Sequence, residues 1–138
     1  MGTNEKNTFD YFNKVIGGGL RAPDNEFSLF DAYFKDSKGQ KCIVEFKHRY
    51  TYYADKWFEA HKYERNAQYA KIHNMKYYYI IEDSFGVWCL DVLKHERAIL
   101  RIVPKWMMAE ATTMIANGKK AMIPKLAYMI PEKYFFKV

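Results

Sequence analysis

Apolar positions along the chain fall into blocks whose spacing switches between helical and strand-like. Phe9, Phe12 and Ile16 recur every three or four residues and predict a helix over residues 4–16. Thr3 or Asn4 can cap it, and Gly17-Gly18-Gly19 ends it. Residues 20–26 read as a linker, and residues 27–35 and 41–49 as two strands. In the second strand Cys42, Val44 and Phe46 alternate with Ile43, Glu45 and Lys47. Residues 36–40 supply turn chemistry with Gly39 late in the loop, so the two strands are expected to form a hairpin. A polar and aromatic stretch follows, then a long helix is expected over residues 54–74, with apolar groups on two sides. Residues 76–82 and 86–93 read as strands around Asp83-Ser84-Phe85, and residues 97–103 as another. Pro104 is expected to open a last helix that Asn117-Gly118 ends. In the tail, residues 119–138, Pro124 and Pro131 leave room for a short edge strand at most. The order is α-β-β-α-β-β-β-α, a mixed α/β domain.

Composition sets the class. A chain of 138 residues is enough for one domain, and 49% hydrophobic with 18% aromatic content provides a core rather than a disordered chain. No apolar run approaches the roughly 18–20 residues needed to cross a bilayer, and the first seven residues hold no apolar signal segment. Cys42 and Cys89 lie in apolar strands, where reduced packing thiols are expected, and no CxxC or HxxxH pair offers a zinc site. These features predict a soluble, cytoplasmic protein. Twenty-two Lys and Arg against 16 Asp and Glu give a net charge of +6, and six lysines fall after residue 104. A basic balance of this kind favours a polyanionic partner, with nucleic acid the leading candidate, although solubility alone also produces it.

The first hairpin carries the candidate chemistry. If its turn centres on Lys38, paired positions sum to 76 and Asp31 stands opposite Glu45. Directly opposed side chains lie roughly 4.5–5.5 Å apart at Cβ. Two carboxylates so placed repel unless one is protonated or a cation sits between them. Mg²⁺ resolves that repulsion with one or two carboxylates plus water, and Mn²⁺ can substitute. Lys47, two residues after Glu45, shares its face, while Phe46 points the other way. Two acids and a lysine around one point suit phosphodiester hydrolysis, with the ion activating water and the lysine orienting it or stabilising charge. An ordinary cross-strand Glu–Lys surface would use the same residues.

Asp31, thirteen intervening residues and Glu45-Phe46-Lys47 after Ile43-Val44 resemble the PD-(D/E)XK nuclease superfamily. The opening α-β-β-α-β order is similar to that of its small members, such as phage nucleases and Holliday-junction resolvases. The resemblance implies a restriction-endonuclease-like core over about residues 4–93, a mixed sheet flanked by helices, with residues 94–138 as decoration. It implies a cytoplasmic Mg²⁺-dependent endonuclease acting on DNA in bacterial or phage-infected cells, either a general endonuclease or a junction resolvase, with Asp31 and Glu45 as ligands and Lys47 assisting the attacking water. Glu5 fits the further acid that members often add from the first helix, a place where the helix dipole alone also favours an acid. Either Gln68 or Lys62 fits the polar residue supplied by the helix after the motif. A literal Pro23-Asp24 also precedes Glu45, but it falls in the linker, so Asp31 is preferred. His48, Arg49 and Tyr50 continue the strand to where a phosphate backbone would pass, Arg49 being the strongest phosphate candidate. Cutting two strands would call for a homodimer. The alternative is a nucleic-acid-binding or protein-interaction domain that keeps this fold and hydrolyses nothing.

Overall fold

The computed structural model describes residues 3–24, 29–114 and 120–138. In chain order the elements are α1 (Thr3–Val15), β1 (Ala32–Lys35), β2 (Lys41–His48), β3 (Asp55–Glu59), α2 (Ala60–Ile72), β4 (Lys76–Asp83) and β5 (Gly86–Asp91). There follow α3 (Glu96–Leu100), β6 (Lys105–Met114), β7 (Lys120–Pro131), a 3-10 turn (Glu132–Tyr134) and β8 (Phe136–Lys137). The class is α/β. One sheet has the strand order β1-β2-β4-β5-β8, with only β2 and β4 parallel; the other has the order β3-β7-β6 and is antiparallel. Among the described residues no helix is long and apolar enough to cross a membrane.

β2 is buried on both faces from Cys42 to Phe46, as expected of a strand covered by helices on each side. On one face, Phe9 and Phe12 of α1 meet Phe46 with ring centroids 5.9 and 6.1 Å apart, over Cys42 and Val44. On the other, Ala60, Ala67 and Ala70 let α2 approach closely, and its Tyr63 joins Ile43, Tyr77 and Tyr79 in the core. Gly17, Gly18 and Gly19 all have positive φ, a path that side chains with a Cβ rarely take, so the chain leaves α1 sharply.

The hairpin forms in the expected register, with Ala32 opposite Val44 and Lys35 opposite Lys41. Asp36 builds the turn: its Oδ1 accepts from the backbone N–H groups of Lys38 and Gln40, both at 2.9 Å. β1 is shorter than residues 27–35, and residues 27–28 of that predicted strand, with 25–26 of the linker before it, lie outside the described ones.

Four elements differ from expectation. The helix over residues 54–74 divides into β3 and α2. In β3, Lys56 and Phe58 are buried while Trp57 and Glu59 are half-buried, a period of two that a buried lysine disguises as helix. Residues 97–103 hold the single helical turn of α3, not a strand; the free edge of β5 that such a strand would extend is taken by β8. The helix expected from Pro104 is instead β6, paired with β7 from Lys105–Ala127 to Glu110–Met122. Asn117-Gly118, its expected end, lies outside the described residues. The tail is not a short edge strand, for β7 has 12 residues and is the central strand of its sheet. Both prolines fit it: Pro124 lies beyond the last partner in β3, where β7 is paired on one side, and Pro131 ends the strand. The order is therefore α-β-β-β-α-β-β-α-β-β-β. Residues 94–138, expected as decoration, contribute Ile99, Tyr128, Ile130 and Phe135 to the core against α2.

Candidate active site

The register of the hairpin sets the site. The ladder ends at Ala32–Val44; one residue before it, the Asp31 N–H also donates to the Val44 carbonyl at 3.0 Å, which keeps Asp31 against β2 and near enough for its charge to act on Glu45. Asp31 Oδ2 accepts from the Phe46 N–H at 2.8 Å, so its carboxylate is tied back onto β2. Glu45 is 5% exposed and faces α2. There Lys62 Nζ stands 3.2 Å from Oε1, and Asn66 Nδ2 3.5 Å from Oε2.

Electrostatics follow from this crowding. Burial, then the charge of Asp31, pushes Glu45 up to about 8, against the opposing pull of Lys62. Burial also raises Asp31, in spite of its bond from Phe46 and the charge of Lys62. Lys47 is lowered to about 8, first by burial and then by Arg49 and Lys62. For Lys62, burial works downward, but Glu45, Glu59 and Asp31 together outweigh it and its pKa is raised. Near neutral pH Glu45 is therefore held largely protonated, which is how the metal-free site avoids placing two charges beside each other.

Asp31, Glu45, Lys47 and Lys62 are thus brought together. Glu5, partly buried on α1, is near enough for its charge to act on Asp31, Glu45 and Lys47. Gln68 is not part of the group: it is exposed, and six residues from Lys62 it lies about 120° away around the helix. Of the two helix candidates, Lys62 is the one that stands beside Glu45. The strand's alternation also divides the predicted phosphate contacts. Arg49 falls on the side of Glu45 and Lys47, its Cζ 4.2 Å from the centre of the Trp57 ring. His48 and Tyr50 turn to the α1 side, where their rings lie 5.0 Å apart and the Tyr50 hydroxyl accepts from Asn4 Nδ2. Asp24 is exposed on the linker.

Two residues escaped the sequence. Asn66 is fully buried and lies one helical turn after Lys62; the i,i+4 spacing was the signal that could have found it. Trp57 carries both Arg49 and Lys47 over its ring, the latter at 5.6 Å, and belongs to the strand that the helix pattern concealed. Among the described residues, Asn66 Oδ1, Arg49 Nη2 and Trp57 Nε1 are buried without hydrogen-bond partners. The expectation that Cys42 is an inert packing thiol agrees with its burial, which pushes it up to about 11.

Compared with known proteins, the chain matches no family model, no curated protein and no solved structure. The resemblance to PD-(D/E)XK nucleases accordingly rests on Asp31, Glu45, Lys47 and the order of elements around them.

Proposed function

We propose that this chain is a Mg²⁺-dependent endonuclease that hydrolyses phosphodiester bonds in DNA at Asp31, Glu45 and Lys47. The observation that carries the reading is the bond from the Phe46 N–H to Asp31, which holds that carboxylate on β2 within reach of the buried Glu45, with the half-buried Lys47 two residues further along the strand. The α1, β1, β2, α2 and β4 elements, with β3 inserted, also follow the order of a restriction-endonuclease-like core. Among the described residues no three His, Cys, Asp or Glu side chains stand close enough to make a metal cage. The donor set instead fits an ion that takes two carboxylates and fills its remaining positions with water. Glu45 fits it chemically, because its proton is held by burial and by Asp31, and a divalent cation would displace that proton. When bound, the ion would lower the pKa of a water and screen the phosphate.

The protein's own groups then divide the work. Asp31 and Glu45 hold the cation, and the bond from Phe46 fixes one carboxylate. With its pKa near 8, Lys47 populates both forms in mildly alkaline solution. The neutral amine accepts a proton from the attacking water as oxygen bonds to phosphorus and one P–O ester bond breaks, the leaving oxygen taking a proton from solvent water. Arg49, on the same side, holds a phosphate oxygen. Two copies would be needed to cut both strands of a duplex. A second reading, nucleic-acid binding without hydrolysis, is favoured by one observation: Lys62 already places a cation 3.2 Å from Glu45.

The test is cleavage of supercoiled plasmid and of a synthetic four-way junction with Mg²⁺, Mn²⁺ or EDTA, comparing the wild type with Lys47→Ala. Cutting that needs the metal and falls by about 10²–10⁴ in the mutant is expected. DNA binding without cutting would establish the second reading, and equal activity in the mutant would dispose of this site.

A further inference from the structure

Beside the carboxylates, β2, β3, β4, β6 and β7 line an open cavity of about 420 Å³. Lys47, Arg49 and Trp57 line both this cavity and the small recess at Glu45, so the two spaces adjoin. Its walls differ in chemistry. Lys47 and Arg49 supply cationic groups, with Lys125 paired to Glu59 at 3.6 Å, while Met107, Met108 and Met129 supply apolar ones.

Among the described residues, two hydrogen-bond donors on the cationic side have no acceptor. They are Arg49 Nη2 and Trp57 Nε1, both buried. The Arg49 guanidinium lies over the Trp57 ring, and this stacking holds it in place. Buried donors left unpaired cost free energy, and an acceptor-rich ligand would relieve that cost. The acids nearby do not serve. Asp83 is engaged by Lys56 and by the Phe85 N–H, and Asp55 is exposed.

The volume lies within the roughly 300–1,000 Å³ of small-ligand sites, far too little for a duplex and enough for one nucleotide swung out of its stack. We propose that this cavity receives a single unpaired nucleotide of the strand held at Asp31 and Glu45. Its phosphate oxygens meet Lys47 and Arg49, and its base lies against the methionines and Tyr53. The inference rests on the nuclease reading and refines it: the substrate carries a bulged, flapped or frayed nucleotide beside the cut. A continuous duplex would leave both buried donors unpaired.

The experiment measures binding by fluorescence anisotropy in EDTA, so that no cleavage intervenes. Two duplexes of equal length are compared, one fully paired and one with a single-nucleotide bulge. Wild type is expected to bind the bulged duplex about tenfold tighter, the size of one stacking contact. Trp57→Phe keeps a ring but removes the N–H, and should reduce the preference. Ala109→Trp fills the cavity from β6 and should abolish it; circular dichroism melts check that both variants fold. Equal affinity of the wild type for both duplexes, or a preference that survives in both folded variants, would overturn the proposal. So would competition by a free nucleoside monophosphate at micromolar concentration, which would make the cavity a small-molecule site. Plasmid cleavage with Mg²⁺ reads the carboxylates separately. Cutting retained without any bulge preference removes the pocket and leaves the nuclease; bulge preference without cutting does the reverse.

Discussion

Two buried groups of charged side chains stand within this small fold, and they are built on opposite principles. Around Lys56, which is 2% exposed, every contact is complementary: Asp83 at 3.4 Å, Glu132 at 3.7 Å, the Tyr53 carbonyl at 2.9 Å, and the rings of Tyr52 and Trp88 on its flanks. Asp83 is itself saturated by the Phe85 N–H and Trp88 Nε1. Around Glu45 the pairing is mixed: Lys62 stands 3.2 Å from it, yet burial and the charges of Asp31 and Glu5 outweigh that cation, and Lys47 is in turn opposed by Arg49 and Lys62. A cluster selected for stability alone would have been arranged as the first is. Strain of the second kind marks candidate sites of chemistry, because a ligand or ion can relieve what the fold does not.

The largest expected effect separates the two by activity. Asp31→Asn should reduce metal-dependent cleavage by about 10³-fold or more, as loss of an ion ligand does, while leaving thermal stability unchanged or higher. The rise would come from removing repulsion on Glu45. A melt that collapses in this variant would mean that Asp31 is structural, its bond from Phe46 being its main role.

Lys56→Met should do the reverse. It leaves Asp83 buried with its cation gone, a loss of about 3 kcal/mol or more. Urea unfolding followed by circular dichroism measures it. If the midpoint stays put, the complementary cluster contributes no more than a surface pair, and the contrast between the two groups fails.

These two clusters also differ in how far the sequence disclosed them. The site residues on the hairpin were legible because everything needed was local: turn residues at 36–40, alternation in β2, and a register that those two features determine. Lys56 was illegible for the opposite reason. Its strand pairs with β7, placing Lys56 opposite Ile130, and no local pattern announces a partner so distant in sequence. A lysine at a buried position made residues 54–74 read as one helix. The same blindness turned β6 into a helix, since a proline-first, glycine-last reading weighs ends and ignores the partner strand. Lys62 and Gln68 could be told apart only once the orientation of α2 was known.

A smaller effect sharpens the comparison through pH. In the metal-free protein Glu45 titrates near 8, against about 4.5 in the unfolded chain, so between those values the folded state binds more protons. Stability therefore falls as pH rises toward 8. Lys47, near 8 when folded and 10.5 when unfolded, works the other way: the unfolded chain binds more protons above 8, and stability recovers as pH climbs toward 10.5. The melting temperature should pass through a trough near pH 8, several degrees deep, on the order of 2 kcal/mol. Glu45→Gln should flatten the acid side. Mg²⁺ should raise the melting temperature more at pH 8 than at pH 5.5, since it must displace a proton at the lower pH. A level profile across this range would show that the carboxylates are not in conflict.

The smallest effect provides the baseline. Lys6 and Asp10 form a pair at 3.9 Å on α1, both side chains more than half exposed. Solvent screens that attraction, and an i,i+4 pair of this sort is worth about 0.3–0.5 kcal/mol at most. Asp10→Ala should shift the urea midpoint hardly at all. Set beside Lys56→Met, it isolates burial as the variable, because both substitutions remove one member of an oppositely charged pair. If the two cost the same, burial does not govern the worth of charge pairs in this protein, and the crowding at Glu45 would lose its standing as a mark of function.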